Sequence, residues 1–219
     1  MSKIRVLAKR FFHIVKSQSL VKLSNDPYST HLPILIGLAR IYNIKTVTEY
    51  GSGLNSTLAF TNKAAFPNLV RLKSYENDLS WLEKMREMVK DKPEVDLVGV
   101  EGEMSSSVRA FDVENADLVF IDDSYTSRER SNTIRAVIGF GAKLIVVHDF
   151  ETPRYRIAGY SAPSRYRVKA LLPNTGVLGS DVSCATIKKL ERFIKTHSSH
   201  LRSDDVSGWA QEFDRSFKQ

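Results

Sequence analysis

The sequence predicts a doubly wound α/β fold, in which a mostly parallel sheet carries helices on both faces. Three observations indicate this class. Segments with strand character alternate with amphipathic helical segments. Those strand segments are apolar almost throughout, as parallel strands buried on both faces are. Polar residues follow each strand directly. Because crossovers between parallel strands are right-handed, this alternation winds helices onto both faces of the sheet.

The first half of the chain supplies the elements in a regular order. A helix is expected after the turn at Asp26-Pro27, with Thr30 as its cap and Pro33 in its first turn. Ser80 and Glu83 have the spacing of a capping box at the start of a later helix. The predicted segments are strand KTVTEY, helix STLAFTNKAAF, strand LVRLKSYE, helix SWLEKMREMVKDK and strand VDLVGV.

The second half continues the alternation and then changes character. Strand ADLVFIDD, helix RERSNTIRAVIGF and strand KLIVVHD follow in turn. After Asp149 comes a loop rich in arginine and tyrosine. The segments RVKALL and VSCATIKKL then have the composition of a final antiparallel strand pair.

Composition indicates one globular domain with two additions. The chain has 219 residues, 42% hydrophobic and 26% charged, and no apolar run long enough to span a membrane. Residues 30–195 are expected to form the domain, 1–29 a basic helical extension and 196–219 a polar, partly helical tail. A single cysteine, Cys184, excludes an internal disulfide framework, and no secretory segment is apparent, so a cytoplasmic setting is expected.

The extension combines positive charge with helical periodicity. Before Asp26 there are six basic residues and no acid, while Ile4, Leu7, Phe11 and Ile14 recur at helical spacing. Such a helix suits a membrane surface or nucleic acid, and it equally suits packing on the core with a solvated basic face. The sequence leaves these alternatives open.

Polar side chains gather where the predicted strands end. Because ligands bind beyond the carboxyl ends of parallel strands, these residues are candidates for a site, although an acid there also caps helices. They are Glu49, Glu76, Glu103, Asp122, Asp123, His148 and Asp149.

The turn GSG at Gly51–Gly53 brings bare backbone close to a ligand and opens a helix. A pyrophosphate would suit the helix terminus but not the carboxylate of Glu49 two residues earlier. Glu76 is placed to bind both hydroxyls of a ribose. The pattern therefore favours a nucleoside that carries an amino acid over a dinucleotide.

These motifs resemble those of the class I S-adenosylmethionine-dependent methyltransferases, and EYGSGLNST, SYEND and GEM carry the likeness. The resemblance extends over residues 30–188 and implies a seven-stranded Rossmann-like sheet. It also implies S-adenosylmethionine as cofactor. The cofactor-binding residues that it implies are Glu49, Gly51, Ser52, Gly53, Asn55, Ser56, Glu76, Asn77, Glu103, Met104 and Asp122.

LVFIDD followed by LIVVHDFE is similar to the branch that contains sugar and natural-product O-methyltransferases. In that branch acids after the fourth and fifth strands bind a divalent metal, which implies Asp122, His148 and Asp149 as ligands for Mg²⁺ or another divalent cation. The same three residues are the catalytic candidates. His148 stands where a second acid is usual, and it is an alternative general base for an acceptor hydroxyl.

The loop after Asp149 is the predicted acceptor side. No acid occurs between Glu151 and Asp181, and the expected substrate-binding residues are Tyr125, Arg154, Tyr155 and Arg156. Arginines there suit an anionic small molecule or glycan, and a solvated surface loop is the alternative. The sequence lacks the (D/N)PP(Y/F) motif of base N-methyltransferases, which favours an oxygen acceptor.

Other classes of function stay open at this point. An RNA methyltransferase agrees with the pI near 9.4 and the basic extension. A nonenzymatic α/β module that binds nucleosides or a protein is a further alternative. A nicotinamide dehydrogenase fits less well, because Ser56 replaces the third glycine of the dinucleotide motif.

Overall fold

The computed structural model describes residues 26–123 and 126–217. Seven strands lie within those ranges: β1 Thr46–Tyr50, β2 Arg71–Glu76, β3 Val95–Gly99, β4 Leu118–Ile121, β5 Ile145–Val147, β6 Arg165–Val168 and β7 Thr175–Leu178. They form one sheet in the order β3-β2-β1-β4-β5-β7-β6. The predicted fold class is confirmed.

Helices connect and cover the strands. They are α1 Leu32–Ile41, α2 Ser56–Phe60, α3 Leu79–Met88, α4 Ala110–Glu114, α5 Ser127–Gly139, α6 Pro153–Ala158, α7 Cys184–His197 and α8 Val206–Ser216. Short 3-10 turns occupy Met104–Ser107 and Gly159–Ser161.

The sheet is parallel from β3 to β5 and antiparallel at one edge. β7 pairs antiparallel with both β5 and β6, so the predicted antiparallel pair exists. Its position differs from the prediction, because VSCATIKKL forms the start of α7. Ser183 caps that helix by accepting from the backbone N–H of Thr186, and Ile187 and Leu190 are then buried at helical spacing.

Alternate residues of the central strands fill two cores on opposite faces of the sheet. Phe120 and Val146 belong to one core, while Ile121 and Val147 belong to the other. This is the alternation that a strand covered on both faces requires. Helices α7 and α8 contribute to the first core through Leu190 and Trp209 among others.

Two predicted caps are wrong. The Thr30 side chain does not cap α1, because its hydroxyl donates to the carbonyl of Pro173 at 2.9 Å. Helix α3 is capped by Asp78, whose carboxylate accepts from the backbone N–H groups of Ser80 and Trp81. The helix therefore begins two residues earlier than the predicted capping box, with an Asp as its N-cap.

The two ends of the chain differ in how far the structure describes them. Most of the basic extension predicted for residues 1–29 lies outside the described residues. Near the other end, α8 packs against α1, with Trp209 and Phe213 fully buried.

The predicted domain boundaries stay predictions. Among the described helices, none is long and apolar enough to cross a membrane.

Candidate active site

The carboxyl ends of the central strands meet at one edge of the sheet. The backbone stays paired across that edge, since Asp122 N donates to Tyr50 O at 2.9 Å and His148 N donates to Ile121 O at 3.1 Å. The side chains that follow β1, β4 and β5 therefore start from neighbouring backbone positions. The structure brings together there most of the residues that the sequence singles out.

The turn after β1 requires glycine at its first position. Gly51 has a φ of 91°, which residues with side chains rarely adopt, and a Cβ atom there would lie 2.6 Å from the carbonyl oxygen of Asp122. The turn thus lies directly against the end of β4, in contact with the backbone of one predicted site residue.

Glu76, at the end of β2, holds this turn in place. Its Oε2 accepts from the backbone N–H of Ser52 at 3.1 Å and from the Ser52 hydroxyl at 2.8 Å, while Oε1 accepts from the N–H of Asp78 at 2.8 Å. The indole Nε1 of Trp81 donates to Ser52 O at 3.0 Å. A carboxylate offers about four acceptor positions, so Glu76 keeps capacity for one more donor.

Glu49 lies behind the turn, fully buried. Its Oε2 accepts from the hydroxyls of Thr57 at 2.7 Å and Ser74 at 2.6 Å, and Oε1 has no hydrogen-bond partner. Burial raises the pKa of Glu49 to about 7, against the lowering effect of these hydrogen bonds. The carboxyl group is therefore poised between its neutral and charged forms near neutral pH.

Two predicted cofactor residues follow the glycine turn. Asn55 Nδ2 donates to Tyr28 O at 2.8 Å, which ties the segment before α1 to the turn. Ser56 is buried at the start of α2, and Gly53 N donates to the hydroxyl of Thr57 at 3.0 Å. The helix thus begins with its N-terminus at the candidate site.

The turns after β2 and β3 lie side by side. Asn77 Nδ2 is 3.4 Å from Gly102 O, a long hydrogen bond between the two turns. Met104 is buried, whereas Glu103 is exposed. The structure therefore gives Met104 an apolar setting, and it gives Glu103 and Asn77 a solvated one.

Arg130, on α5, is the ionic centre of the other half of the site. Its side chain is 3% exposed, and Nη2 lies 2.8 Å from Asp122 Oδ1. Nη1 lies 3.4 Å from Asp149 Oδ2, and Nε donates to Asp123 O at 2.6 Å. Burial raises the pKa of the Asp123 carboxyl to about 6, despite the nearby guanidinium. One arginine therefore joins the acids that follow β4 and β5.

His148 has hydrogen-bond partners at both ring nitrogens. Nε2 lies 3.1 Å from Thr30 Oγ1. Because the Thr30 hydroxyl donates to Pro173 O, Nε2 carries a proton and donates to Oγ1. Nδ1 lies 3.2 Å from Asp122 Oδ2. Burial alone would lower the pKa of His148, but the carboxylates of Asp122 and Asp149 raise it above its usual value. In turn, His148 and Arg130 outweigh burial and lower the pKa of Asp122.

His31 completes this cluster, although no sequence motif singles it out. It is 1% exposed, neither ring nitrogen has a hydrogen-bond partner, and its ring centroid lies 4.7 Å from that of His148. Burial, and the charge of His148, lower the pKa of His31 to about 3. Ligand atoms of His31, Asp122 and His148 all lie within 4.8 Å of one another.

The predicted metal ligands Asp122, His148 and Asp149 offer Mg²⁺ one imidazole and, from each acid, the oxygen nearer to His148, and this metal set stays a prediction. Asp122 Oδ1 and Asp149 Oδ2 already face the guanidinium of Arg130, and Mg²⁺ prefers an octahedron of oxygen ligands. Among the described residues, the group with metal-ligand spacing contains His31 rather than Asp149. Asp149 Oδ1 remains 3.8 Å from His148 Nδ1.

The predicted substrate-binding residues occupy different environments. Arg154 is exposed on α6 and Arg156 is half-buried. Tyr155 is 1% exposed and packs under the guanidinium of Arg130, 5.2 Å from the ring centroid. Tyr155 therefore supports the ionic cluster rather than facing solvent. Tyr125 lies outside the described residues.

Sequence reasoning missed Arg130, His31 and the bond from Trp81 to the glycine turn. Arg130 and Arg128 lie on one amphipathic segment, and only the first is buried. Nothing in the sequence separates them except the helical position relative to Ile134, which is also buried.

Comparison with known proteins identifies the fold. A candidate caffeoyl-CoA O-methyltransferase from Staphylococcus aureus is 12% identical with a TM-score of 0.52, covering 81% of this chain and 92% of that one. An O-methyltransferase from Bacillus cereus, solved with S-adenosylhomocysteine, is 11% identical with a TM-score of 0.50, covering 82% and 92%. No family model and no curated protein matches the sequence.

Proposed function

We propose that this chain, which has the fold of the S-adenosylmethionine-dependent methyltransferases, transfers a methyl group from S-adenosylmethionine to a hydroxyl group. The observation that carries the proposal is the glycine turn after β1, held by the buried carboxylate of Glu76 at the carboxyl edge of the sheet. Backbone N–H groups, a helix N-terminus and a carboxylate with spare acceptor capacity meet there.

The cofactor's parts match the chemistry of this edge. One ribose hydroxyl donates to the acceptor position that Glu76 keeps, next to Ser52. The methionine ammonium lies on the side of Glu49, whose carboxyl ionises more readily once a cation is near. Met104 supplies an apolar contact for the adenine. The remaining residues predicted to bind the cofactor belong to the turns around these groups. They are Gly51, Gly53, Asn55, Ser56, Asn77 and Glu103.

Asp122 is the group that an acceptor hydroxyl reaches. Its side chain is 28% exposed, whereas those of His148 and Arg130 are 4% and 3% exposed. Neighbouring cations keep Asp122 ionised, so it can accept a hydrogen bond from the hydroxyl and orient its oxygen toward the sulfonium methyl. We infer that His148 and Asp149 complete this catalytic group, with His148 as the partner that shares the acceptor's proton with Asp122.

The acceptor itself is an anionic small molecule or glycan. Arg154 and Arg156 lie on α6, directly after the loop that follows β5, and can bind a carboxylate or phosphate there.

The exposed cysteine, Cys184, takes part in no disulfide, which supports a reducing, cytoplasmic setting.

Binding of S-adenosylhomocysteine tests the proposal, measured by calorimetry on the wild type and two variants. Glu76→Gln replaces one acceptor oxygen of the carboxylate with an NH₂ donor, which weakens both the ribose contact and the support for the turn. Ser52→Ala removes one support of the turn but leaves the carboxylate. We expect micromolar binding by the wild type, a loss of at least about tenfold in Glu76→Gln and a smaller loss in Ser52→Ala.

Each other outcome has a definite meaning. Equal losses in the two variants would show that Glu76 acts only on the turn. If the folded wild type does not bind S-adenosylhomocysteine at all, the methyltransferase proposal fails and a nonenzymatic module becomes the better description. Binding without any transfer of labelled methyl to hydroxyl acceptors would leave a binding protein.

A further inference from the structure

We propose that His31, Asp122 and His148 form a binding site for a divalent first-row transition ion of the Zn²⁺ or Co²⁺ type. The site differs from a magnesium site in its donors, which are two imidazoles and one carboxylate oxygen. Imidazole ligands suit zinc, cobalt, iron and nickel, whereas Mg²⁺ takes oxygen ligands. The ligand atoms lie within 4.8 Å of one another, and an ion with bonds of about 2 Å would draw the most distant of them slightly closer together.

His31 gives the first argument. Both of its ring nitrogens are buried and neither has a hydrogen-bond partner. A buried polar group without a partner destabilises the folded state, so an imidazole kept here in place of an apolar ring indicates a binding partner for it. His31 packs on Phe120 with ring centroids 4.9 Å apart, and a phenyl ring would make that contact equally well. An ion would give one of these two nitrogens a partner.

The hydrogen bonds of His148 give the second argument. Nε2 donates to Thr30 Oγ1, and the Thr30 hydroxyl in turn donates to Pro173 O. This chain fixes the tautomer and directs the Nδ1 atom to Asp122 Oδ2, 3.2 Å away. Metal-binding histidines are oriented in this way by a partner on the second nitrogen. If His148 is neutral, its Nδ1 lone pair faces the carboxylate oxygen Oδ2 of Asp122 and the two repel each other. A proton or a metal ion between Nδ1 and Oδ2 removes this repulsion.

Charge and access agree with a divalent ion. Arg130 binds Asp122 through Oδ1, which leaves Oδ2 on the side of the two histidines. When Asp122, Asp123 and Asp149 are ionised, their three negative charges face one guanidinium, and a divalent ion with two neutral imidazoles balances them. The 28% exposure of the Asp122 side chain provides the opening through which an ion enters.

The role of this ion rests on the proposed function, but its binding does not. A bound ion would supply Lewis-acid activation of an acceptor hydroxyl, and Asp122 and His148 would then hold the ion instead of sharing the acceptor's proton. The residues of the chain hold that position: His31 and His148 from the buried side, and Asp122 from the side that an acceptor reaches.

Titration of the metal-stripped full-length chain with Co²⁺, followed by visible absorption, tests the site. We expect one equivalent to produce the bands of nitrogen-ligated Co²⁺, Zn²⁺ to abolish them and Mg²⁺ to leave them unchanged. His31→Phe should weaken Co²⁺ binding by at least about tenfold while keeping the contact with Phe120. His200→Phe, at an exposed histidine outside the cluster, is the matched control and should bind like the wild type.

Circular dichroism verifies that each variant is folded, and Asp122→Asn provides a second ligand variant if His31→Phe is not. Absence of the Co²⁺ bands in the wild type would overturn the proposal, as would equal Co²⁺ affinity of wild type and folded His31→Phe. S-adenosylhomocysteine binding is measured on the same samples. A wild type that binds S-adenosylhomocysteine but not Co²⁺ refutes only this inference. A wild type that binds Co²⁺ but not S-adenosylhomocysteine refutes only the proposed function.

Discussion

At the residue scale, Glu49 carries a carboxyl group that the fold keeps away from water. Burial raises its pKa from 4.5 to about 7. Between these values the unfolded chain has lost this proton and the folded chain still holds it. The folded state then binds more protons, so the free energy of unfolding falls as pH rises through this window. The decrease is complete above about pH 7 and amounts to up to about 3 kcal/mol.

Replacing Glu49 with Gln should remove this part of the pH dependence. The amide oxygen still accepts from Thr57 and Ser74, but the side chain no longer ionises. Urea unfolding at about pH 5 and about pH 7.5 measures the effect, with Glu103→Gln at an exposed carboxylate as the control. The same loss of stability with pH in Glu49→Gln and in the wild type would contradict the assignment.

Arg130 acts at a single position but forms ion pairs with three buried or half-buried acids. Arg130→Met leaves Asp122, Asp123 and Asp149 without their shared guanidinium. We expect the free energy of unfolding to drop by about 3–5 kcal/mol at neutral pH, because buried charges lose their partner. Arg128→Met, at an exposed position of the same helix, should change it by less than about 0.5 kcal/mol. A small effect of Arg130→Met would mean that the acids are solvated.

At the element scale, the start of α3 depends on one carboxylate. Asp78 accepts from the N–H groups of Ser80 and Trp81 at 3.0 and 3.1 Å. Asp78→Ala should cost about 1 kcal/mol of stability, and Ser80→Ala clearly less, since the Ser80 hydroxyl only donates to Asp78. Thermal unfolding of both variants distinguishes this cap from the capping box, for which the order would be reversed.

Residues 26–31, directly before α1, form turns rather than a helix or a strand. Their hydrogen bonds link distant parts of the chain. Ser29 Oγ lies 2.6 Å from Ser203 Oγ, and Thr30 bonds to His148 and Pro173. Helix α1 begins at Leu32, directly after His31. The position of His31 beside Asp122 therefore depends on contacts with the C-terminal half, which is why helix-start rules did not predict it.

At the scale of the whole molecule, the sequence predicts those features that a repeated pattern determines. Parallel strands end at one edge, so Glu49, Glu76, Asp122 and His148 are expected to gather there, and they do. The partners that decide their chemistry could not be predicted in the same way. Arg130 comes from a helix side that composition does not distinguish. The antiparallel edge was misplaced because α7 begins with β-branched residues that also suit a strand.

Charge is unevenly distributed over the whole chain. Six of its seven net positive charges lie in residues 1–25, so residues 26–219 carry a net charge of +1. An RNA acceptor would be held mainly through phosphate contacts, which require clustered cations. If the chain binds RNA, that affinity must come largely from the basic side chains of the first 25 residues, which are Lys3, Arg5, Lys9, Arg10, Lys16 and Lys22.

Replacing these six residues with Gln separates the two kinds of acceptor. For an RNA methyltransferase, labelled single-stranded RNA should bind the wild type with an affinity that falls steeply between about 50 and 200 mM salt, and the variant should lose most of that binding. For a small anionic acceptor, neither protein should bind RNA at about 200 mM salt. S-adenosylhomocysteine binding should be equal in both proteins, because its predicted residues lie between Glu49 and Asp122. Salt-dependent RNA binding retained by the variant would instead assign the RNA contacts to basic residues after position 25, and would make RNA the better candidate for the acceptor.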